Sequence, residues 1–292
     1  LQLVKEEKYE EAMKVITEKN PLPFITGTIC AHPCMGKCTR NFYEDPVHIR
    51  AMKLVASKNG YDALFEKIQT PAVTSKGKAA VVGGGPAGMA AAYFLRRAGM
   101  SVTLFEKTGS LGGVVRHVIP EFRISSEAID KDQALLEKMG VDIRLHTEID
   151  GVETLKKQGY TSVILAVGAY EPGVLKLEAG ETVNALEFLS RFKETEGNID
   201  IGKNVVVIGG GNTAMDTARA AKRAKGVEHA YLVYRRTKRY MPADEEELVL
   251  AVEDGVEFME LLSPVKLEDK GLLCDVMKLG DFDSSGRRSV IP

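Results

Sequence analysis

The sequence has few cysteines, little net charge and no long apolar run, and each of these shortages excludes a class of protein. Its 292 residues include four cysteines, too few for the disulfide framework of a secreted protein. The net charge of −2 argues against nucleic acid or a membrane surface as a partner. The longest uncharged run, residues 79–95, contains four glycines and a proline and is too short to cross a bilayer. No apolar segment follows a basic tip at the start, so we predict no signal peptide and expect a soluble cytoplasmic protein.

A glycine-rich turn between an apolar run and a helical pattern is the feature around which the chain is organised. Gly83, Gly85 and Gly88 have the G-x-G-x-x-G spacing, and Glu106 closes a second apolar run 18 residues after Gly88. Strand, turn, helix, strand and acid in this order are typical of a dinucleotide site. The pyrophosphate meets the N-terminus of the helix, and the acid accepts a hydrogen bond from a ribose hydroxyl. The alternative, a glycine-rich turn that binds nothing, explains less of the pattern.

A second turn of the same kind follows the apolar run 205–208. Gly209, Gly211 and Ala214 occupy the three motif positions, where alanine is allowed at the third. The next apolar run ends not in an acid but in Arg235-Arg236. A guanidinium pairs bidentately with a 2′-phosphate that a carboxylate would repel, so this site is predicted to prefer NADPH to NADH. A solvated basic turn is the alternative interpretation.

Three cysteines lie close together near the start of the chain, at Cys30, Cys34 and Cys38. Pro33 and Gly36 between them predict a loop. Three thiolates on one loop favour an iron–sulfur cluster, although a cubane needs four ligands. Zinc, with His32 as a fourth ligand, and three unliganded thiols both remain open. Cys274 lies in an apolar run, 272–276, and is predicted to be a buried structural residue in a strand.

Periodicity and turn residues give a coarse map of the remaining elements. A second glycine-rich loop, 109–113, indicates either a ligand that extends along the sheet edge or a plain surface turn. Linkers are predicted at 71–77 and 170–173, and turns at Gly280-Asp281 and at 284–286. Helices are predicted at 8–19, 46–58, 125–139, 184–193 and 244–253, and strands at 141–145 and 162–167. The helix at 46–58 is expected to begin at Pro46.

These motifs together resemble one family of oxidoreductases. The resemblance is carried by the two glycine turns, by Leu111-Gly112-Gly113 with Arg116, by 119–123 and by Tyr234-Arg235-Arg236 before Met241-Pro242. The family comprises the glutamate synthase small subunit and the N-terminal half of dihydropyrimidine dehydrogenase, and residues 234–247 look most similar to its selenate reductase iron–sulfur subunit branch.

The resemblance implies an α/β fold with two Rossmann-like domains, one for FAD and one for NADPH, behind a small helical iron–sulfur domain. The expected boundaries are 1–76 for the helical domain, 77–170 for the first FAD-binding segment and 171–292 for the NADPH domain. It also implies that NADPH reduces FAD and that electrons leave through a [4Fe-4S] cluster to a larger catalytic subunit or to further domains. The cofactors carry this chemistry, so no catalytic acid, base or nucleophile is expected. No C-x-x-C pair stands beside either turn, which argues against disulfide exchange.

The resemblance assigns residues to each cofactor. We expect FAD to be held by Gly83, Gly85, Pro86, Ala87, Gly88, Glu106, Lys107, Gly113, Arg116 and Gly168. We expect NADPH to be held by Gly209, Gly211, Asn212, Thr213, Ala214, Asp216, Arg235, Arg236 and Arg239. The expected metal ligands are Cys30, Cys34 and Cys38.

The chain also departs from the family pattern. An earlier cysteine-rich segment and a final return to the FAD domain are not found in these 292 residues. We therefore expect a fragment of a longer protein, with the FAD domain truncated at its C-terminal return segment. The alternative function is a nucleotide-binding fragment without flavin or turnover.

Overall fold

The computed structural model describes residues 1–171, 173, 175–284 and 286–292. The chain forms two compact units, and each is described by itself. The first contains 1–117 and 121–169, and the second contains 118–120 and 170–292. Among the helices in the described ranges, none is both long and apolar enough to cross a membrane.

The first unit begins with a layer of helices. They are α1 (Gln2–Lys5), α2 (Tyr9–Thr17), α3 (Pro23–Ile29), α4 (Pro33–Gly36) and α5 (Ile49–Lys67), with a 3-10 turn at Thr39–Phe42. Met13, Phe24 and Tyr61 form the buried core of this layer, and Leu135 from a later helix completes it. The helices of 1–76 therefore share this core with a helix that follows later in the first unit.

The second part of the first unit is a parallel sheet with order β3-β2-β1-β4. Its elements are β1 (Lys78–Val82), α6 (Pro86–Arg97), β2 (Ser101–Phe105), α7 (Val114–His117), α8 (Ser126–Lys138), β3 (Asp142–Arg144), α9 (Val152–Lys157) and β4 (Ser162–Leu165). Strand β1 forms because Ala79, Ala80 and Val81 are fully buried at the centre of the sheet. Helix α8 begins where the Ser125 side chain accepts a hydrogen bond from the Ala128 N–H.

The second unit contains a second parallel sheet, with order β5-β6-β7, and two antiparallel hairpins. Its elements are α10 (Ala185–Glu194), β5 (Asn204–Ile208), α11 (Asn212–Arg223), β6 (His229–Tyr234), a 3-10 turn at Lys238–Tyr240, α12 (Glu245–Glu253), β7 (Glu257–Glu260), β8 (Leu262–Glu268), β9 (Gly271–Val276), β10 (Lys278–Phe282) and β11 (Arg288–Ile291). Met215, Ala218, Leu232 and Ala251 form its buried core. The strand, turn and helix around β5 therefore repeat those around β1.

Several local predictions were wrong in detail. Helix α5 begins at Ile49 rather than at Pro46, because the Ile49 N–H bonds to the Val47 carbonyl in a tight turn that a helix excludes. The cysteine loop contains one helical turn, α4. Gly280-Asp281 lies inside β10, beside a register shift, and not in a turn. A Cβ on Gly280 would lie 2.5 Å from the Ser289 Oγ of the partner strand, so a larger residue there requires the Ser289 side chain to rotate.

Two further predictions have mixed outcomes. Cys274 lies in strand β9 as predicted, but it is only partly buried. The predicted linker at 170–173 and the predicted turn at 284–286 include Pro172 and Ser285, which lie outside the described residues.

Candidate nucleotide-binding sites and cysteine loop

The first glycine turn joins β1 to α6 and leaves one side of its backbone open. Gly83 has a φ of +105°, a region that favours glycine, and its N–H bonds to the Phe105 carbonyl at 2.8 Å. A Cβ on Gly88 would collide with the Gly83 carbonyl oxygen, so strand and helix pack closely only with glycine here. A Cβ on Gly85 would meet only the Gly113 Cα, at 3.9 Å. The open side at Gly85 therefore fits a pyrophosphate at the N-terminus of α6.

The second glycine-rich loop lies against the first. The Gly112 N–H donates to the Gly84 carbonyl at 2.8 Å, and a Cβ on Gly113 would lie 3.0 Å from the Gly85 Cα. Because Gly113 has a φ of +52° and a Cβ on it would crowd Gly85, this close contact favours glycine at position 113. Of the two interpretations left open by the sequence, the structure favours a loop that belongs to the first site.

Glu106 is buried at the end of β2, where its carboxylate holds the glycine turn. Its Oε2 accepts the Gly84 N–H at 2.6 Å, and its Oε1 accepts the Thr108 N–H at 2.8 Å and hydroxyl at 2.9 Å. Burial alone would raise the pKa of Glu106, but these hydrogen bonds outweigh it and keep that pKa below its usual value. The carboxylate is therefore ionised, fixed in place and able to accept a further hydrogen bond from a ribose.

The other residues predicted for the first site lie around this turn. Pro86 and Ala87 begin α6, and Lys107 is exposed directly after Glu106. Gly168 follows β4 with a φ of +78°. Arg116 donates to the Leu111 carbonyl and to Asp130, both at 2.5 Å, so its guanidinium braces the second glycine loop. A contact between Arg116 and the flavin stays a prediction.

The second glycine turn joins β5 to α11 with the same hydrogen-bond register as the first. The Gly209 N–H bonds to the Val233 carbonyl at 3.0 Å, and a Cβ on Gly209 would lie 3.1 Å from the Ala214 Cβ. A Cβ on Gly211 would have no neighbour within 4 Å. Thr213 is exposed in the first turn of α11, and Asp216 is buried one turn later. This cradle also fits a pyrophosphate.

Tyr234 takes the position in the second site that Glu106 takes in the first. Gly83 bonds to Phe105 and Gly209 bonds to Val233, so Glu106 and Tyr234 each follow the matching residue. The Tyr234 ring packs against Gly210, and a Cβ at position 210 would lie 2.5 Å from the ring. Its hydroxyl donates to the Tyr240 carbonyl at 2.8 Å. Tyr234 is not among the residues predicted to bind a cofactor, because only the register of β6 against β5 shows that it matches Glu106.

Residues 235–244 return from the end of β6 to the second glycine turn. The Ala243 N–H donates to the Gly210 carbonyl at 3.0 Å, and the Asp244 N–H donates to the Asn212 Oδ1 at 3.0 Å. The Asn212 side chain therefore braces this segment. Arg235 and Arg239 are exposed on it, which is the setting that a phosphate ligand needs.

Arg236 differs from these two arginines. It is 6% exposed, and it donates to the Arg288 carbonyl at 2.7 Å and to the Asp283 carboxylate at 3.1 Å. Arg236 is thus buried, unlike the exposed pair Arg235 and Arg239, and a contact between Arg236 and NADPH stays a prediction.

The three cysteines lie on and around α4. Cys30 caps the end of α3, Cys34 is exposed within α4, and Cys38 follows it. No three His, Cys, Asp or Glu side chains lie within reach of one metal ion in the described residues, which include all of 1–62. Thiolates are the donors that an iron–sulfur cluster uses, yet three are one short of a cubane. The arrangement present here does not fit a complete cluster or a zinc site.

Two family models match the chain. The model for pyridine nucleotide-disulphide oxidoreductases matches residues 77–273. The model for dihydropyrimidine dehydrogenase domain II, 4Fe-4S cluster, matches residues 1–62. The first match covers both glycine turns, and the second covers the cysteine loop.

Comparisons with individual proteins agree with these two family matches. The chain is 44% identical to YgfK of Escherichia coli (strain K12) over 99% of its own length and 28% of that protein. It is 30% identical to the glutamate synthase [NADPH] small chain of the same strain over 99% of its own length and 66% of that chain. Among solved structures, 2-naphthoyl-CoA reductase in complex with 2-naphthoyl-CoA superposes with a TM-score of 0.57 at 22% identity, over 84% of this chain and 36% of that one.

These matches confirm the family and the fold class that the sequence predicted. The chain spans between about a quarter and two thirds of the length of the two curated relatives named above. The cofactors of the two matched families are FAD, a nicotinamide nucleotide and a 4Fe-4S cluster, which are the ones expected from the motifs. The chain therefore belongs to the iron–sulfur flavoprotein oxidoreductases built on the pyridine nucleotide-disulphide oxidoreductase domain.

Proposed function

We propose that this chain is the electron-input module of an iron–sulfur flavoprotein oxidoreductase, which takes a hydride from NADPH. The first glycine turn binds FAD and the second binds NADPH. In the expected domain scheme, 1–76 belong to the iron–sulfur domain, 77–170 to the FAD domain and 171–292 to the NADPH domain.

One observation supports the assignment of FAD to the first site and of NADPH to the second. Two turns of the same register differ at the residue after the paired strand, where one carries Glu106 and the other carries Tyr234 followed by Arg235, and this is the position that would meet the adenosine ribose. A carboxylate accepts ribose hydroxyls, as an FAD or NADH site requires. An aromatic ring with an exposed guanidinium beside it provides no acceptor for those hydroxyls and attracts a 2′-phosphate.

The protein's own residues bind and orient, and none acts as acid, base or nucleophile. Gly85 and Gly211 let the backbone N–H groups of α6 and α11 approach a pyrophosphate. Glu106 positions the adenosine ribose of FAD, and Arg235 with Arg239 binds the 2′-phosphate. FAD, when bound, would supply the capacity to accept a hydride and to release electrons one at a time.

The electrons would pass onward to a partner. Relatives of this chain are named as subunits, such as the glutamate synthase small chain, which supports a larger catalytic subunit or further domains as the recipient. Cys30, Cys34 and Cys38 would supply thiolate ligands to a 4Fe-4S cluster only if they came together at one point with at least one further ligand from outside this loop. A cytoplasmic location is part of the proposal.

Visible absorption spectra recorded without oxygen test the proposal. The purified protein should show a flavin band that bleaches on addition of NADPH and much less with NADH. A colourless protein that still binds NADPH would instead support the alternative, a nucleotide-binding fragment without flavin. A protein that binds neither nucleotide would refute both.

A matched pair of variants makes the test specific for the second site. Arg235→Ala should abolish the preference for NADPH while the flavin band stays. Lys225→Ala removes an exposed cation elsewhere in the same unit, and it should leave the preference unchanged. Equal loss in both variants would mean that general positive charge, and not the Arg235 site, attracts the nucleotide.

A further inference from the structure

The hairpin formed by β10 and β11 is hydrogen-bonded to the turn that carries the exposed arginines of the second site. Arg236 makes these contacts: it is 6% exposed, and its side chain donates to the Asp283 carboxylate and to the Arg288 carbonyl. Asp283 and Arg288 stand at the two ends of the loop that closes this hairpin. A residue at the end of β6 thus joins a hairpin that begins more than 40 residues later in the chain.

Asp283 has two tasks in this arrangement. Its Oδ1 accepts the Arg287 N–H at 3.1 Å, and its backbone N–H donates to the Arg287 carbonyl at 2.7 Å. Its Oδ2 receives the guanidinium of Arg236 at 3.1 Å. The carboxylate therefore shapes the hairpin turn and binds Arg236 at the same time.

The partners of Arg236 argue against a direct role in phosphate binding. Its guanidinium already satisfies a carboxylate and a carbonyl in a buried setting. With only 7% of its side chain exposed and two of its nitrogen atoms engaged, Arg236 offers a phosphate little access. The exposed side chain of Arg235, one residue earlier, meets no such obstacle.

The same contacts fix the direction of Arg235. Its preceding neighbour, Tyr234, is buried and tied to the Tyr240 carbonyl. Its following neighbour, Arg236, is buried and tied to Asp283 and Arg288. With both neighbours anchored inward, the side chain of Arg235 is held on the outer side of the turn.

We infer that Arg236 is a positioning residue for the 2′-phosphate of NADPH, and that the Arg236–Asp283 ion pair sets the selectivity of the site through Arg235. This inference rests on the proposed function of the second glycine turn. It assigns a role in cofactor selectivity to Asp283, a carboxylate on a hairpin outside both glycine motifs.

The test measures binding of two probes to the full chain by isothermal titration calorimetry. Adenosine 2′,5′-bisphosphate carries the 2′-phosphate, and 5′-AMP lacks it. In Asp283→Asn the carboxylate becomes a neutral amide of the same shape. We expect affinity for the bisphosphate to fall about tenfold, because a small displacement of a charged ligand is costly, while affinity for 5′-AMP stays the same.

The sign of the effect separates positioning from simple electrostatics. Removal of a negative charge near a phosphate site would by itself tighten phosphate binding, and a released Arg236 would tighten it further if it bound phosphate directly. Unchanged or tighter binding of the bisphosphate in Asp283→Asn would therefore overturn the inference. Asp281→Asn, which removes an exposed carboxylate from the same hairpin, is the matched control and should bind like the wild type.

Two more measurements keep the result interpretable. Asp283→Glu retains the charge and should keep most of the selectivity; loss equal to that in Asp283→Asn would count against an ion pair as the cause. If Asp283→Asn does not fold, Arg236→Lys gives the same information, since a lysine reaches only one of the two partners and should weaken bisphosphate binding alone. If the wild type binds both probes equally, the proposed NADPH site itself is wrong.

Discussion

Glu106 and Tyr234 occupy equivalent positions, each one residue beyond the carbonyl that accepts the N–H of the first motif glycine. Glu106 holds its glycine turn through the Gly84 N–H. Tyr234 packs its ring beside Gly210 and sends its hydroxyl to Tyr240. The chain thus repeats one strand–turn–helix arrangement with a carboxylate at this position in the first turn and an aromatic ring in the second, and under the proposed function this difference separates the FAD site from the NADPH site.

The Tyr234 position should control which nicotinamide nucleotide binds. Tyr234→Glu places a carboxylate where a 2′-phosphate would lie, so NADPH affinity should fall at least about tenfold through charge repulsion. NADH affinity should hold or rise, because the carboxylate accepts ribose hydroxyls. Fluorescence titration with both nucleotides measures the ratio. Tyr234→Phe, which loses only the hydroxyl contact with Tyr240, is the control and should keep the preference for NADPH.

Glu106 should matter for both flavin retention and stability. Glu106→Gln replaces one acceptor oxygen by a donor, which leaves the Gly84 or Thr108 N–H without its partner. An unsatisfied buried group costs about 1–3 kcal/mol, so the urea midpoint and the flavin-to-protein ratio should both fall. Glu148→Gln changes an exposed carboxylate elsewhere in the first unit and should alter neither. An unchanged flavin ratio in Glu106→Gln would exclude Glu106 from the FAD site.

Two glycines of the first turn should respond differently to the same methyl group. Gly88→Ala drives a Cβ into the Gly83 carbonyl oxygen, so it should destabilise the whole unit. Gly85→Ala has open space, with only the Gly113 Cα at 3.9 Å, and its φ of −73° suits alanine. It should fold with normal stability and lose flavin, since the methyl group occupies the path of the pyrophosphate. Thermal unfolding and flavin content measured on both variants check this, and an alanine at 85 that retains FAD would contradict the proposed cradle.

The local part of this organisation could be predicted from the sequence, because strand, glycine turn, helix and acid follow one another in a short stretch. The position of Tyr234 could not be counted in this way. Glu106 stands 18 residues after the third motif glycine, whereas the same count from Ala214 leads to Leu232. Only the register of β6 against β5 shows which residue follows the strand at the matching place.

Hydrogen bonds and ion pairs between side chains that are far apart in the chain could also not be predicted from the sequence. The sequence grouped Arg236 with Arg235 among the cofactor-binding residues, because adjacent arginines carry the same charge. Their different surroundings arise from Asp283, which approaches Arg236 through tertiary structure alone. The cysteine spacing favoured an iron–sulfur cluster, in agreement with the family model that matches 1–62, but spacing does not bring three thiols to one point, and within the described residues they are not gathered.

A buried carboxylate in the first unit should make stability depend on pH. Asp132 of α8 is fully buried, and its two oxygens accept the N–H groups of Phe24 and Ile25 at the start of α3. Burial raises the pKa of Asp132 from 3.8 to about 7, although these hydrogen bonds and the charge of Lys53 partly oppose the change.

The direction of the effect follows from proton binding in the two states. Between pH 4 and pH 7, the folded chain keeps a proton on Asp132 that the unfolded chain releases, so the free energy of unfolding falls as pH rises through this range. A change of about three pKa units corresponds to at most about 4 kcal/mol. Urea unfolding at a series of pH values should show this slope in the wild type. Asp132→Asn should remove this part of the slope, and Asp62→Asn, an exposed carboxylate on α5, should keep it. If the slope persists in Asp132→Asn, another group titrates in this range and Asp132 is not its source.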